Sequence, residues 1–458
     1  MPLGHSVANY FMKEFELIPN AKNLMESTRS IGYSLPAAVA DLVDNSIAAE
    51  AETVEIWTPT DSERYLLILD DGVGMSEKKL LEAMRYGSSF VGDERSECDL
   101  GRFGLGLKMA SLSQCRRLTV ISKRPRGKLV GARWDLDHIA KSKCPWALQV
   151  LESGDFDTLP WKDRLLTQKS GTLVIWEELD LLLLGINQKG FTDALQQRIQ
   201  GLKRHLELVF HRYLSSESDR PFSIVFNGGA LTPADPFLKA KSTMPYPSDP
   251  YGKNVRITPY LLPHPKFLTS EEKEMAGDLQ KDQGFYIYRN KRLVIWGTWF
   301  RLCRKLGLSK LARVQVDIPA TAEYDKMWSL DVKKSTASIP EQLKDQLRRA
   351  VDKLADRSGQ VWTKRARREQ SKDAFWLRVK TEEGNIRYVI NEDNAVVKDF
   401  IKKQPELRVF LQLLSARLPL DSLYTDLSND QVVDSDVTAV AALAEKLRKA
   451  GIDVPDCL

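Results

Sequence analysis

An α+β fold is predicted for this chain of 458 residues, and three patterns predict it. Helical and strand patterns interleave over residues 27–190, which is typical of a sheet with helices packed on one face, an α/β sandwich. A second domain, of β-α-β type, is predicted over 191–355, where strand–turn–strand patterns precede a long helix. Residues 356–458 are predicted to be a small, mostly helical section of unknown type, and residues 1–26 an N-terminal arm.

The first domain is predicted to open with a helix and then to alternate strands and helices. Ser34 suits the N-cap of that helix and Pro36 its first turn, where a missing N–H costs little. Residues 87–106 are rich in Gly, Ser and charge and are predicted to be a mobile loop. The apolar patterns predict, in order, the helix AAVADLVDNSIAAEA, the strands TVEIW and YLLIL, the helix EKKLLEAMRYG after its cap Ser76, the short helix LKMASL, and the strands RLTVISK, KLVGARWDL and GTLVIWEEL.

A long helix over residues 192–215 is predicted to lead into the second domain. That domain is predicted to begin with the strand–turn–strand segment PFSIVFNGGALTPADPF, to continue through GFYIYRNKRLVIWG and ARVQVDIP, and to end in the helix PEQLKDQLRRAVDKLADRS. The last section starts with the basic stretch WTKRARREQSK, which is most simply a solvated helix end. A hairpin, FWLRVKTEEGNIRYVIN, and several helices are predicted after it.

Composition excludes several classes of protein. The balance of 67 Lys+Arg against 62 Asp+Glu, a net charge of +5, neither requires nor excludes a nucleic acid. No apolar run approaches the roughly 18 residues of a membrane span, and the N-terminus lacks the pattern of a secretory signal. The 5 cysteines are widely spaced and form no CxxC pair, so neither a zinc site nor a disulfide framework is indicated. We expect a reduced, cytoplasmic protein without membrane contact.

The first motif that can carry chemistry is Asp41 followed four residues later by Asn45. On a helix this spacing puts both side chains on one face, one turn apart. The Asn oxygen can bind Mg²⁺, and the carboxylate can orient or deprotonate a water. In isolation such a pair is usually a solvated helix face.

Two glycine-containing motifs follow. Asp70 ends an apolar strand and opens DDGVGM, where the carboxylate can accept a hydrogen bond from an exocyclic amine such as adenine N6, and the glycines let the backbone approach a flat base. GRFGLGLK begins at Gly101; its glycines can turn successive N–H groups towards an anion, and the helix after it adds its positive end. A plain Asp-Gly turn and a flexible loop are the simpler alternatives. The P-loop is excluded because Leu107 stands where its Lys is required, and the glycines do not form the dinucleotide fingerprint.

In this order the three motifs resemble the N-box, G1 box and G2 box of the GHKL ATPases: DNA gyrase B, the ninety-kilodalton heat-shock chaperone, histidine kinases and MutL. The segment GTLVIWEEL resembles the family's fourth element, whose threonine, here Thr172, supports the adenine-binding Asp. The resemblance implies ATP and Mg²⁺ as cofactors, with Asp70 on the adenine and Asn45 on the metal. It also implies that the base pocket is lined by Gly72, Gly74 and Met75, and that the phosphates are covered by Gly101, Gly104, Leu105, Gly106 and Lys108.

Asp41 is the position where the chain departs from the family, whose hydrolysing members carry Glu there. Because Asp is one methylene shorter, its carboxylate stops roughly 1.5 Å from the expected position, and errors of about 1 Å can cost about a hundredfold in rate. We therefore expect a slow ATPase, with binding without turnover as the alternative.

The N-terminal position of the ATP domain argues against a histidine kinase, and the second domain most resembles the transducer of MORC (microrchidia)-like proteins. Such a transducer sends a lysine into the partner site; Lys334 is favoured for this role, with Lys333 beside it and a surface position as the simpler alternative. The resemblance covers about residues 20–355.

The resemblance implies an ATP-dependent homodimer that clamps DNA, acting with other protein subunits in restriction or antiviral defence. A pI of about 8.7 is compatible with DNA. A chaperone-like or scaffold module, or a nucleotide sensor with negligible turnover, is the alternative. The basic residues offered for phosphate contact are Arg116, Arg117, Lys123, Arg124, Arg126, Lys364, Arg365, Arg367 and Arg368.

Overall fold

The molecule consists of two β-sheets with surrounding helices and a small C-terminal section, and the α+β prediction is confirmed. The computed structural model describes residues 15–416 apart from 16, 31, 61–63, 87–105, 183–190, 216–217, 219, 246–248, 252–254, 304, 306–308, 330–337, 364–373 and 381–385. The helices of the described part are α1 (Ala21–Arg29), α2 (Leu35–Ala48), α3 (Glu77–Met84), α4 (Gly106–Leu112), α5 (Leu136–Lys141), α6 (Lys162–Thr167), α7 (Phe191–Val209), α8 (His211–Leu214), α9 (Ser270–Ala276), α10 (Ala322–Met327), α11 (Glu341–Thr363), α12 (Ala395–Lys403) and α13 (Leu407–Ala416).

The first sheet has the order β5-β4-β3-β6-β2-β1-β7-β8. Its strands are β1 (Thr53–Trp57), β2 (Tyr65–Asp70), β3 (Arg117–Lys123), β4 (Leu129–Asp135), β5 (Gln149–Val150), β6 (Gly171–Glu177), β7 (Ser223–Phe226) and β8 (Gly229–Ala230). Neighbouring strands are antiparallel except β1 and β7, which run parallel. The register sets Asp70 of β2 opposite Thr172 of β6, and Thr172 opposite Ser122 of β3. Three residues far apart in sequence therefore meet at one end of the central strands.

Both faces of the first sheet are covered, because alternate residues of its strands belong to different apolar clusters. Leu66 and Ile68 pack in the large core with α2, α4 and α7, whereas Leu67 and Leu69 pack with Phe156 and the segment around α6. The expectation of helices on one face is thus corrected: a smaller second layer lies on the other. The continuous apolar run of β2 reflects this burial on both sides.

The strand–turn–strand segment expected to open the second domain instead extends the first sheet. Residues 53–56 of β1 pair with residues 223–226 of β7, and β8 completes the edge. The local sequence predicts the hairpin correctly, but it carries no information on which sheet edge the hairpin joins.

The predicted N-terminal arm is also shorter than expected, because α1 begins inside it. Asn20 caps this helix by accepting from the N–H of Asn23 at 3.0 Å, and Met25 is fully buried in the main core. A side-chain cap and one buried face are sufficient to hold the helix on the domain.

The second sheet has the order β12-β11-β13-β10-β9. Its strands are β9 (Asp249–Tyr251), β10 (Val255–Leu261), β11 (Gly284–Arg289), β12 (Arg292–Thr298) and β13 (Ala312–Ile318). Helix α11 packs on this sheet through Leu343, Leu347, Val351 and Leu354, which recur at helical spacing and are almost completely buried. The opposite side contributes Tyr286, Tyr288 and Leu293 to the main core, so the two sheets share apolar packing.

The C-terminal section contains the predicted hairpin, formed by β14 (Trp376–Lys380) and β15 (Ile386–Ile390), followed by α12 and α13. Within the described ranges, no helix combines the length and the apolar character that a membrane crossing requires.

Candidate nucleotide-binding site

Helix α2 begins as predicted: the hydroxyl of Ser34 accepts from the N–H of Ala37 at 3.3 Å, and a proline occupies the first turn. Asp41 and Asn45 lie one turn apart, but their environments differ. Asp41 is 5% exposed and accepts a hydrogen bond from the hydroxyl of Tyr33 at 3.0 Å, whereas Asn45 is exposed. The amide of Asn45 is therefore exposed and can contact a ligand, whereas the carboxylate of Asp41, one turn earlier on the helix, is buried.

Asp70 is the most strongly organised side chain of the site. It is 7% exposed at the end of β2, and Oδ1 accepts from the N–H groups of Gly72 at 3.0 Å and Thr172 at 3.2 Å, while Oδ2 accepts from the hydroxyl of Ser46 at 3.1 Å. Burial raises the pKa of this carboxyl to about 6, and the hydrogen bonds from Gly72, Ser46 and Thr172 limit the rise. All three donors are neutral.

Two serines of the site were not found from the sequence. Ser46 follows Asn45 directly and turns from α2 towards Asp70. Ser122 of β3 accepts from the N–H of Met75 at 2.8 Å and donates to the carbonyl oxygen of Gly171 at 2.9 Å. The position of Ser46 directly after Asn45 could have indicated a polar side chain near the site. Ser122, in contrast, is brought to the site by sheet register alone.

Ser122 also lies 2.9 Å from the hydroxyl oxygen of Thr172. This small network fixes the chain after Asp70 against β3 and β6. The support expected from Thr172 thus has two parts in the structure: its N–H holds Asp70, and its hydroxyl meets Ser122.

Two glycines are required by close approach of the backbone. Gly74 has φ +63°, and a Cβ there would lie 2.0 Å from the carbonyl oxygen of Lys123. Gly171 has φ +155°, and a Cβ there would lie 2.1 Å from the carbonyl oxygen of Asp70. A side chain at position 74 would push the loop after Asp70 away from β3, and one at position 171 would push β6 away from β2.

Lys108 is placed differently from a residue that simply covers phosphates. It lies on α4, is 1% exposed, and donates from Nζ to the carbonyl oxygen of Ala83 at 2.9 Å; burial lowers its pKa to about 8. Gly106 is the first residue of α4. The expected phosphate-covering residues Gly101, Gly104 and Leu105, and the candidates Lys333 and Lys334, lie outside the described residues.

Three of the basic residues offered for DNA contact also have partners within the protein, and their contact with DNA stays a prediction. Arg116 pairs with Asp137 at 2.7 Å, Arg117 pairs with Asp135 at 3.0 Å, and Lys123 donates to the carbonyl oxygens of Leu166 in α6 and of Gln168 just after it. Arg124 and Arg126 are exposed in the turn between β3 and β4, beside Gly74. The basic residues 364–368 lie outside the described part.

Comparisons of the sequence with known proteins agree with this geometry. The sequence model of a family described as "Histidine kinase-, DNA gyrase B-, and HSP90-like ATPase" matches residues 33–172, which contain Asp41, Asn45, Asp70 and Thr172. The chain is also 30% identical over 103 residues to a protein named ATPase morc-1 from Caenorhabditis elegans; the match covers 22% of this chain and 12% of that relative. Residues 33–172 are thus similar to the ATP-binding domain of the GHKL ATPase superfamily, and part of the chain is similar to a MORC ATPase.

Proposed function

We propose that the chain binds ATP with its adenine amine on Asp70 and hydrolyses it slowly with Mg²⁺. The hydrogen-bonding capacity of Asp70 supports this most directly. A carboxylate has about four acceptor positions, and Gly72, Thr172 and Ser46 fill three of them. Among the residues that the structure describes, none donates to the fourth position, on Oδ2, and burial raises the pKa of this carboxyl to about 6. An exocyclic N–H donor satisfies that position and favours the ionised form.

The exposed Asn45 fits the magnesium role. Mg²⁺ in nucleotide sites keeps several waters and takes most of its remaining ligands from phosphates, so one amide oxygen is a sufficient protein contribution. The ion supplies neutralisation of phosphate charge when bound. The chain supplies the position of the amide, one turn along α2 from Asp41.

Asp41 is the residue proposed to orient the attacking water. Its side chain is one methylene shorter than that of Glu, and the hydroxyl of Tyr33 orients it by donating to Oδ2 at 3.0 Å. A carboxylate oriented in this way can accept a water proton, but its short side chain limits its reach. These two facts support slow turnover, and they equally favour the second candidate, a nucleotide sensor that binds ATP without releasing phosphate.

Calorimetric titration with Mg-ATP tests the binding proposal. Asp70→Ala is expected to weaken binding at least about a hundredfold, since a buried charge-assisted hydrogen bond and the orientation of the base are both lost. Asp71→Asn is the matched control, because the carboxylate of Asp71 accepts from the N–H groups of Glu52 and Thr53. Equal affinity in wild type and Asp70→Ala would contradict the proposed site.

Phosphate release separates the two candidates. A slow ATPase gives steady release that Asp41→Ala abolishes, whereas a sensor binds Mg-ATP at the same affinity and releases none. We further propose that two copies close on each other when ATP is bound. Size measurement with a non-hydrolysable ATP analogue is expected to show a dimer that nucleotide-free protein does not form.

DNA is the proposed macromolecular partner, in a clamp that works with other subunits in restriction or antiviral defence. Arg124 and Arg126 are the exposed candidates of the described part. Binding is expected to weaken steeply with salt, and the double change Arg124→Ala/Arg126→Ala is expected to lower the slope of log affinity against log salt by about 2. Flat salt dependence would remove DNA from the proposal.

A further inference from the structure

An ion pair joins the nucleotide helix directly to the second sheet. Asp44 lies on α2 between Asp41 and Asn45, and Arg292 is the first residue of β12. Nε of Arg292 donates to Oδ1 of Asp44 at 3.2 Å. The two side chains are 5% and 1% exposed, so this contact is buried on both sides.

The guanidinium of Arg292 is held by several neighbours. It also donates to the carbonyl oxygen of Leu293, and it lies over the ring of Phe210 with 5.0 Å between its central carbon and the ring centre. His205 of α7 packs on Trp296 of β12, with ring centres 5.6 Å apart. Burial and the charge of Arg292 lower the pKa of this imidazole to about 3, so His205 stays neutral and Arg292 is not opposed by a second positive charge.

A buried ion pair of this kind is seldom the most stable solution for an interface. Apolar residues of similar volume often stabilise as well or better, because the desolvation of two charges offsets much of their attraction. What the pair adds is a fixed relative position, since moving either partner away separates two opposite charges that are buried against each other. The residues that it fixes are the neighbours of Asp41 and Asn45.

We propose that the Asp44–Arg292 pair is a positioning contact through which ATP bound at α2 is coupled to the β11–β12 hairpin. Asp44 and Arg292 touch neither ATP nor water in this account; they act through Asp41 and Asn45. This inference rests on the proposed ATP site, and it adds the connection by which the second sheet affects that site. Binding at Asn45 then stabilises one placement of the hairpin, and the hairpin in turn holds Asp41 in place.

Amide hydrogen exchange with and without a non-hydrolysable ATP analogue is the direct test. In the wild type, the analogue is expected to slow exchange in residues 284–298 by about threefold or more. In Arg292→Gln and in Asp44→Asn this slowing is expected to be lost, while affinity for the analogue stays within about threefold. If one of these two variants does not fold, the other alone is sufficient for the test. Where phosphate release is measurable, kcat is expected to fall about tenfold in each, with no further loss in the double variant.

Arg289→Gln is the matched control, since Arg289 lies on the same hairpin and pairs with Asp325 at 2.8 Å, with both side chains as deeply buried. This pair ends on α10 and does not reach α2, so its loss is expected to lower stability while leaving the nucleotide-dependent exchange in place. The inference is overturned if Arg289→Gln abolishes the effect as Arg292→Gln does, or if the wild-type hairpin does not respond to bound analogue. Failure of the wild type to bind ATP would instead refute the proposed function, and the inference with it.

Discussion

Two buried carboxylates, one beside each sheet, are stabilised in different ways. Next to the second sheet, Asp325 of α10 is 1% exposed and receives a two-point contact from Arg289 of β11 at 2.8 and 3.1 Å. At the end of β2, Asp70 is nearly as buried, but its donors are a hydroxyl and two backbone N–H groups. Burial of a charge is therefore compensated by an opposite charge in one region and only by neutral dipoles in the other.

This difference separates structure from function. Asp325 has its opposite charge inside the protein and needs nothing from outside. Asp70 has a raised pKa and one acceptor position that no described residue fills, so a donor from a ligand improves its environment. The first arrangement is a structural ion pair, and the second has the character of a binding site. Four predictions test that contrast.

The largest effect is expected from Arg289→Gln. Removing the arginine takes a two-point ion pair from the buried carboxylate of Asp325, and breaking a buried pair typically costs about 3 to 5 kcal/mol of unfolding free energy. Urea unfolding measures this loss. Since Arg289 pairs with Asp325 of α10 and not with a residue of the nucleotide site, affinity for Mg-ATP is expected to be unchanged at temperatures where the variant is folded; weakened binding would mean that this pair also supports the nucleotide site.

Asp70→Asn is expected to stabilise the protein at alkaline pH. Because the folded-state pKa is raised from 3.8 to about 6, ionised Asp70 costs the folded state about 3 kcal/mol at pH 8. The amide avoids this cost, and the hydroxyl of Ser46 can accept from it while donating to the carbonyl oxygen of Leu42. The gain is expected to shrink towards zero as the pH falls from about 6 to about 4, where wild-type Asp70 is neutral.

Urea unfolding of both proteins across this pH range measures the difference. Asp71→Asn serves as the comparison, since it removes the neighbouring carboxylate whose partners are the N–H groups of Glu52 and Thr53. A variant less stable than wild type at pH 8 would mean that the neutral donors compensate the buried charge fully.

Nucleotide affinity is also expected to depend on the ionisation of Asp70. Ionisation should raise the affinity, whereas it lowers the stability of the folded protein. The adenine amine requires an acceptor that carries charge to bind well, so affinity for the ATP analogue should be full above about pH 7 and about tenfold weaker at pH 5. Asp70→Asn binds more weakly but without this step. The analogue itself also ionises over this pH range, but this affects wild type and Asp70→Asn equally. The ratio of their dissociation constants therefore reports the ionisation of Asp70 alone.

The sequence predicted those parts of the site that depend on neighbouring residues. Helix α2 follows from a cap, a proline and apolar spacing, and the loop after Asp70 follows from its glycines. Gly74 in particular could be assigned because a positive φ and a close backbone approach leave a mark on the sequence itself.

Contacts that depend on register could not be predicted in this way. Ser122 reaches the site because β3 and β6 pair as they do, and Arg292 meets Asp44 across 248 residues. The same limit explains why β7 was assigned to the wrong sheet. A strand pattern specifies a buried face but not the strand that pairs with it.

The smallest effect is expected from Tyr33→Phe, and it tests the other neutral donor of the site. The tyrosine hydroxyl orients Asp41 through a single hydrogen bond, which is worth about 0.5 to 1.5 kcal/mol, so kcat for ATP is expected to fall about threefold to tenfold. The dissociation constant should not change, because Asp41 acts on water rather than on the nucleotide.

Tyr213→Phe removes a comparable hydroxyl, which donates to the carbonyl oxygen of Asn290 at 2.6 Å on the second sheet, and it should leave kcat unaltered. A faster Tyr33→Phe enzyme would show that the hydroxyl restrains Asp41 instead of aiming it. In that case the hydroxyl of Tyr33, and not the shorter side chain of Asp41, would be the cause of the slow turnover.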